Sequence, residues 1–181
     1  MKKEDIRRNV KARKCLLNDE ERCSAAESVF ARLEALAAFM LADKILVYHS
    51  LPDELSTHSF LDKWGTRKRF FLPRVNGVNL DILPYDRSRL HLGSFHIEEP
   101  DGTETVPVEQ IEMIIVPAVA YDRNGNRVGR GRGYYDRLLS SSAAVKVGVG
   151  YDFQLVDEID AEPHDVPVDI VITQTRTIVR R

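Results

Sequence analysis

The stretch Met113-Ile114-Ile115-Val116-Pro117 decides the fold class, because it is a short, continuous apolar run that ends at a proline. A run of this length without alternating polar residues is typical of a strand that is buried on both faces of a parallel sheet. Similar runs occur at residues 45–48, 70–73, 145–149 and 170–173. The pattern predicts an open, mainly parallel sheet.

The segments between these runs have the spacing of helices. Residues 3–16 place Ile6 and Val10 on one apolar face, and Asn18 with Glu21 forms a capping-box pattern that opens a second helix. Two further helices are predicted at 57–64, capped by Ser56 or Thr57, and at 134–141. Residues 81–102 contain a short strand at 80–83 and otherwise resemble a loop-rich excursion. Strands that alternate with helices predict a single α/β domain over residues 1–181, with helices on both faces of the sheet in three layers.

Composition limits the classes of function. The chain has 181 residues and a formal net charge of -2, so no overall basicity points to nucleic acid. No apolar run approaches the roughly 20 residues that cross a bilayer, so we expect a cytoplasmic protein without a membrane partner. Cys15 and Cys23 lack metal-ligand spacing and are expected to be reduced thiols. A monomer is the expected state.

A glycine-rich loop carries the strongest chemical signal. Residues 126–137 read Asn-Arg-Val-Gly-Arg-Gly-Arg-Gly-Tyr-Tyr-Asp-Arg, with glycines alternating with arginines ahead of a predicted helix. Glycines let a ligand approach the backbone closely, arginines present planar donor forks, and a helix N-terminus favours anions. The spacing matches neither the P-loop nor the dinucleotide-binding glycine pattern. The loop therefore predicts a phosphate site of another type.

Other interpretations of the loop remain open at this point. It could be an exposed Arg-Gly turn, or it could bind RNA through arginines and stacked tyrosines. A sugar-phosphate or coenzyme A-type enzyme could also use such a loop, since a fold does not fix a function.

Two acidic segments follow or precede predicted strands. Glu54 closes the segment Tyr48-His49-Ser50-Leu51-Pro52-Asp53-Glu54, which places a carboxylate at the ligand edge of the sheet, where it could bind an amide or a pterin-like ring. Asp169 precedes the last parallel run and, if paired in space with Asp136, could hold Mg²⁺. The simpler alternatives are an acidic turn at Glu54 and a turn or cap residue at Asp169.

These segments together resemble the 5-formyltetrahydrofolate cyclo-ligase family, also called methenyltetrahydrofolate synthetases. The resemblance rests on motifs in the family's order that cover essentially the whole chain: Lys3-Glu4-Asp5-Ile6-Arg7, residues 50–54, Leu72-Pro73-Arg74, residues 116–138 and residues 164–169. Arg132 stands where many relatives have glycine, and Ala118 stands where glycine is usual.

The resemblance implies an ATP- and Mg²⁺-dependent ring closure. Family members convert 5-formyltetrahydrofolate to 5,10-methenyltetrahydrofolate and release ADP and phosphate. The formyl oxygen attacks the γ-phosphate to give an iminium phosphate at nitrogen 5, which nitrogen 10 then attacks. The resemblance thus implies a folate substrate, which can carry a polyglutamate tail, and no nucleic-acid or membrane partner.

The resemblance also implies roles for individual residues. ATP would contact Lys3, Arg7, Arg127, Gly129, Arg130, Gly131, Arg132, Gly133, Tyr134 and Tyr135. Folate would contact His49, Leu51, Glu54 and Tyr134, and Mg²⁺ would bind Asp136 and Asp169. Catalysis would depend on Arg130, Arg132 and Tyr134. Core packing is the alternative role for Tyr135, and we expect Arg130→Ala and Asp136→Ala to reduce activity with the fold intact.

Overall fold

The computed structural model describes residues 2–93 and 97–180. The helices in these ranges are α1 (Lys3–Lys14), α2 (Asp19–Glu34), α3 (Ala37–Leu41), α4 (His58–Trp64) and α5 (Tyr134–Ser140). The longer strands are β1 (Lys44–Val47), β2 (Arg69–Asn76), β3 (Asn79–Pro84), β6 (Met113–Val116) and β9 (Val145–Val149). The shorter strands are β4 (Leu90–Leu92), β5 (Glu98–Pro100), β7 (Ala120–Tyr121), β8 (Arg127–Val128), β10 (Ile170–Ile172) and β11 (Thr177–Val179).

Seven strands form the central sheet in the order β11-β10-β9-β6-β1-β2-β3. Strands β10, β9, β6, β1 and β2 run parallel to their neighbours, and these are the five apolar runs that the sequence predicted as parallel strands. Strands β3 and β11 pair antiparallel at the two edges. From β1 the chain first adds β2 and β3 on one side of the sheet, and it then returns to add β6, β9 and β10 on the other side of β1. The order of the strands therefore reverses between β1 and β6.

Alternate residues of each parallel strand face opposite layers. Ile45 and Val47 of β1 belong to an apolar cluster that includes Phe30 of α2 and Phe60 of α4. Leu46 faces the other way, into a cluster that includes Leu139 of α5. This two-residue period places helices on both faces and confirms the predicted three-layer α/β fold.

Helix α1 packs on a small β-ribbon that the sequence analysis did not predict. Ile6 and Val10 of α1 are buried together with Ala120 of β7 and Val128 of β8. Strands β7 and β8 pair antiparallel, and the buried Asp122 closes their turn by accepting hydrogen bonds from the backbone. The ribbon joins the end of β6 to the glycine-rich loop, so α1 is held beside that loop.

The two predicted caps have different outcomes. The capping box at Asn18 and Glu21 is present, with both reciprocal hydrogen bonds. Thr57 is the N-cap residue of α4, one of the two positions predicted, but its side chain makes no capping hydrogen bond, because the Thr57 hydroxyl donates to the Tyr48 carbonyl over 2.9 Å. Thr57 also accepts from Ser50 N over 3.1 Å. These bonds tie the loop after β1 to the start of α4.

The segment 81–102 is more regular than expected. The predicted strand at 80–83 is present within β3, and β4 pairs with β5 as a separate two-stranded ribbon. Residues 94–96 of this segment lie outside the described residues. Within the ranges that the structure describes, the helices are all too short or too polar to cross a membrane.

Candidate active site

A large cleft of about 1850 Å³ opens beyond the carboxyl ends of β1 and β6. This is the point where the chain's course across the sheet reverses, and open α/β sheets bind their ligands at such points because the loops after the two strands diverge there. Helix α1, the segment after β1 and the glycine-rich loop at residues 129–133 contribute side chains to its walls. The cleft is larger than the roughly 300–1,000 Å³ typical of one small ligand, so it has room for two.

The loop between β8 and α5 has the backbone that its glycines allow. Gly131 has φ +95° and Gly133, the residue before α5, has φ +68°. Residues with a Cβ adopt such values at a cost, so glycine is required at both positions. Arg7 Nε donates to Gly129 O over 3.0 Å, which attaches one end of the loop to α1.

Arginines of β8 and of the following loop have different environments. Arg127 is buried, and its Nη2 lies 2.6 Å from Asp136 Oδ1. Arg130 is about half exposed, and its Nη2 contacts both Asp53 Oδ1 and Glu54 Oε1 at 3.1 Å. Arg132 is exposed at the cleft wall. All three side chains line the cleft, but Arg130 and Arg132 are exposed there, whereas Arg127 is buried against Asp136.

The residues predicted to bind folate gather after β1. Glu54 is mostly buried, and its Oε2 accepts a hydrogen bond from Leu51 N over 3.0 Å. His49 Nδ1 lies 3.0 Å from Glu98 Oε2, and its ring stacks on His58 with centroids 4.3 Å apart. Burial and the neighbouring His58 lower the pKa of His49, although Glu98 opposes this shift. A neutral imidazole therefore lines the cleft at neutral pH.

The two tyrosines of the loop–helix junction both line the cleft. The Tyr134 hydroxyl donates to Gly77 O over 3.3 Å. Tyr135 also packs against the apolar cluster beneath α5, and burial raises the pKa of its hydroxyl. Both roles considered for Tyr135 from the sequence, ligand contact and core packing, are compatible with this position.

An acidic group lies at the other end of the cleft. Lys3 Nζ is 2.7 Å from both Glu162 Oε2 and Asp165 Oδ2. Glu162, His164 and Asp165 each offer a metal-ligand atom, and these atoms lie within 4.8 Å of one another. Burial opposes ionisation of Asp165, but hydrogen bonds from Glu162 N and Lys3 outweigh it and lower its pKa. Asp136 lies next to this group, because its Oδ1 accepts from Val166 N over 3.0 Å.

Asp169 is not part of the cleft, and its expected pairing with Asp136 is not seen. Its Oδ2 accepts from Lys146 N over 2.8 Å, and its backbone N–H donates to Lys146 O. Lys146 lies at the start of β9, so Asp169 sits at the amino ends of the parallel strands, opposite the ligand edge. Within residues 164–169, His164, Asp165 and Val166 line the cleft, whereas Asp169 does not.

Two functional candidates lay inside motifs that the sequence analysis quoted but went unassigned. Asp53 adjoins Glu54 and Asp165 lies four positions before Asp169, and nothing in the one-dimensional pattern distinguishes them from these selected residues. Lys14 also lines the cleft with its side chain 9% exposed, 4.0 Å from Asp53 Oδ2. Burial lowers the pKa of Lys14 more than Asp53 and Glu54 raise it. Lys14 is the last residue of α1 and lies on the face that carries Lys3 and Arg7. This helical spacing could have identified Lys14 as a cleft residue from the sequence.

The doubly wound sheet has a large cleft at its reversal point, between α1 and the glycine-rich loop, which is where enzymes with open α/β sheets bind their ligands. A family model for the 5-formyltetrahydrofolate cyclo-ligase family matches residues 1–174, and the chain belongs to this family. This membership confirms the resemblance seen in the sequence.

Individual relatives agree over nearly the full length. The 5-formyltetrahydrofolate cyclo-ligase of Escherichia coli strain K12 is 29% identical over 177 residues, covering 92% of this chain and 97% of that protein. The NMR structure of 5,10-methenyltetrahydrofolate synthetase from Aquifex aeolicus superposes with a TM-score of 0.90 at 33% identity, covering 99% of this chain and 93% of the other. A synthetase structure from Mycoplasma pneumoniae, at 24% identity and a TM-score of 0.77, shares the fold over 96% of this chain and 99% of its own.

Proposed function

We propose that this protein uses ATP to convert 5-formyltetrahydrofolate to 5,10-methenyltetrahydrofolate, with release of ADP and phosphate. The observation that carries the proposal is the contact between Arg130 of the glycine-rich loop and Glu54 at the end of β1, 3.1 Å apart. The loop has the chemistry of a phosphate site, and Glu54 has the chemistry of a pterin site. Their adjacency puts a phosphoryl donor within reach of the formyl group.

The nucleotide phosphates bind between α1 and the loop. Lys3 and Arg7 lie one helical turn apart on α1, and both line the cleft. The backbone of residues 129–133, together with Arg130 and Arg132, supplies the facing donors. Arg127 acts beneath them by holding Asp136 and the start of α5. This arrangement supports the assignment of these residues and the neighbouring Tyr134 and Tyr135 to the ATP site.

The folate occupies the end of the cleft at His49, Leu51 and Glu54. The Glu54 carboxylate accepts hydrogen bonds from the pterin or the formyl region, and Tyr134 offers a ring face for stacking. The neutral imidazole of His49 favours an uncharged ring as its neighbour. The cleft volume of about 1850 Å³ supports simultaneous binding of folate and ATP.

The family resemblance also implies Mg²⁺, and the donor set at the acidic end of the cleft fits this ion. Mg²⁺ prefers carboxylate oxygens, which Glu162 and Asp165 supply within 4.8 Å of each other and of His164. Lys3 balances these charges in the structure. We assign Asp165 as a ligand in place of Asp169, with Asp136 as the neighbouring oxygen donor. When bound, the ion neutralises charge on the nucleotide phosphates.

The reaction needs positioning more than covalent help from the protein. The formyl oxygen attacks the γ-phosphorus, ADP leaves, and an iminium phosphate forms at nitrogen 5. Nitrogen 10 attacks the activated carbon, the carbon–oxygen bond to phosphate breaks, and nitrogen 10 loses its proton. Arg130 and Arg132 stabilise the negative charge on the phosphoryl oxygens, which is the main demand in phosphoryl transfer.

The test is the appearance of methenyltetrahydrofolate absorbance when the pure protein is mixed with 5-formyltetrahydrofolate, ATP and Mg²⁺. Omission of ATP, and its replacement by an analogue with a non-transferable γ-phosphate, are the controls. ATP-dependent product with stoichiometric ADP supports the proposal. The absence of product in the complete mixture would overturn the proposal.

A further inference from the structure

Arg137 joins three parts of the cleft wall, although neither the motifs nor the family resemblance gave it a role. It lies in the middle of α5, and its Nε donates to Val78 O, at the β2–β3 turn, over 2.7 Å. Its Nη2 donates to Arg132 O in the glycine-rich loop over 2.9 Å. The guanidinium also lies 5.4 Å from the centroid of the Tyr134 ring. One planar side chain thus ties the loop to the edge of the sheet.

The bond to Arg132 O controls an amide as well as a carbonyl. A peptide unit is planar and trans, so its C=O and the following N–H point in opposite directions. When Arg137 fixes the carbonyl of Arg132, it also fixes the direction of the Gly133 N–H. Arg7 does the same at the other end of the loop, because its bond to Gly129 O fixes the Arg130 N–H. Both ends of the loop are therefore oriented by arginines from flanking helices.

Gly133 is matched to this contact. Its φ of +68° disfavours any residue with a Cβ, and a Cβ placed there would lie 2.8 Å from Arg137 Nη1. The loop backbone and the guanidinium consequently occupy adjacent space that a side chain at position 133 would disturb. The absence of a side chain at Gly133 lets Arg137 reach the Arg132 carbonyl.

We propose that Arg137 is a positioning residue for the nucleotide phosphates, acting by holding the peptide between Arg132 and Gly133 so that its N–H serves as a preformed phosphate donor. The bond to Val78 O anchors this arrangement to the β2–β3 turn. The inference rests on the proposed function, since it takes ATP as the ligand of the loop. Preorganised amides cost no reorganisation when the anion binds, which is why a residue that only orients them affects affinity.

The experiment compares Arg137→Gln, Arg137→Lys and the unchanged protein. ATP affinity is measured by calorimetry without folate. The kcat and the KM for each substrate are measured in the complete reaction with ATP and 5-formyltetrahydrofolate. We expect Arg137→Gln to weaken ATP binding and raise the KM for ATP about tenfold, the usual effect of losing hydrogen bonds to an oriented group. The KM for 5-formyltetrahydrofolate stays unchanged. Arg137→Lys gives an intermediate loss, because one ammonium cannot hold both carbonyls in the fixed fork geometry.

Arg32→Gln is the matched control, because Arg32 Nε also donates to a backbone carbonyl, that of Gln174, over 2.8 Å and lies outside the cleft. It tests whether a general loss of stability alters the KM for ATP, and we expect no change. Unaltered ATP affinity in Arg137→Gln, or full affinity in Arg137→Lys, would overturn the positioning role. Equal rises in both KM values would also overturn it. Failure of the proposed function has a different signature, namely no turnover by the unchanged protein.

Discussion

Arg130 Nη2 lies 3.1 Å from Glu54 Oε1, across 76 positions of the chain. The same nitrogen contacts Asp53, so one guanidinium connects the glycine-rich loop to the segment that follows β1. Under the proposed function the loop binds the phosphates and Glu54 binds the folate, so this pair would mark where the two substrates meet. When a phosphate group binds to Arg130, the guanidinium must either separate from Glu54 or contact the carboxylate and the phosphate together.

Replacing Arg130 should reduce turnover without unfolding the protein. We expect Arg130→Gln to lower kcat about 100-fold, the usual loss when a donor to a developing oxyanion is removed. The melting temperature should change little, since a half-exposed ion pair contributes at most about 1 kcal/mol. Steady-state kinetics and thermal unfolding measure the two effects. Arg87→Gln, which breaks an exposed pair with Asp62, is the control, and equal kcat values in the two variants would refute the assignment.

Asp136→Ala should destabilise the fold, contrary to the expectation from sequence. The change leaves the buried Arg127 guanidinium without its partner and Val166 N without its acceptor. Removing one member of a buried ion pair costs about 3 kcal/mol or more. Chemical denaturation measures the free energy of unfolding. Adding Arg127→Met to Asp136→Ala should recover part of the loss, and an additive further loss would contradict this account.

Asp165 and Asp169 provide a matched pair for the metal assignment. Asp165→Asn should raise the Mg²⁺ concentration needed for half-maximal activity, because a carboxylate of the acidic group becomes an amide. Asp169→Asn should leave the Mg²⁺ dependence unchanged, because Asp169 is bonded to Lys146 at the opposite edge of the sheet. Activity titrations with Mg²⁺ measure both. The reverse result would return the ligand role to Asp169.

His49 should make the fold sensitive to mild acid. Its pKa is lowered from 6.5 by burial and by His58, so the folded protein binds fewer protons at this site than the unfolded chain does. The free energy of unfolding therefore rises with pH through the folded pKa, reaches its plateau above 6.5, and falls on acidification. Between pH 8 and pH 5, the free energy of unfolding should decrease less in His49→Asn than in the unchanged protein. An unchanged slope in that variant would assign the loss to other groups.

The regular elements were the most predictable features. All five apolar runs became parallel strands, because a strand that is buried on both faces carries its signal in every residue. The capping box at Asn18 was equally local, since its two hydrogen bonds span three positions. The β7–β8 ribbon was missed because strands of two residues leave no periodic pattern.

The site was predictable in composition but not in its contacts. The motifs identified Glu54, the loop arginines and the segment 164–169, because these are unusual residue types next to predicted strands or helices. They did not separate Asp165 from Asp169, which are four positions apart in one motif. Nor did they indicate that Arg127 is buried while Arg130 is half exposed, because both lie in the same stretch of arginines and glycines.

The sequence by itself determined the fold class, the family and the segments that form the cleft, because apolar periodicity and motif order are properties of neighbouring residues. The tertiary structure alone decided which charged groups meet: Arg130 with Glu54, Lys3 with Asp165, and Arg137 with the Arg132 carbonyl. Their separations along the chain range from five to 162 positions. The physical reason is that a charge interacts with whatever the packed backbone brings within a few ångströms, and that distance is set by the sheet and by the course of the loops.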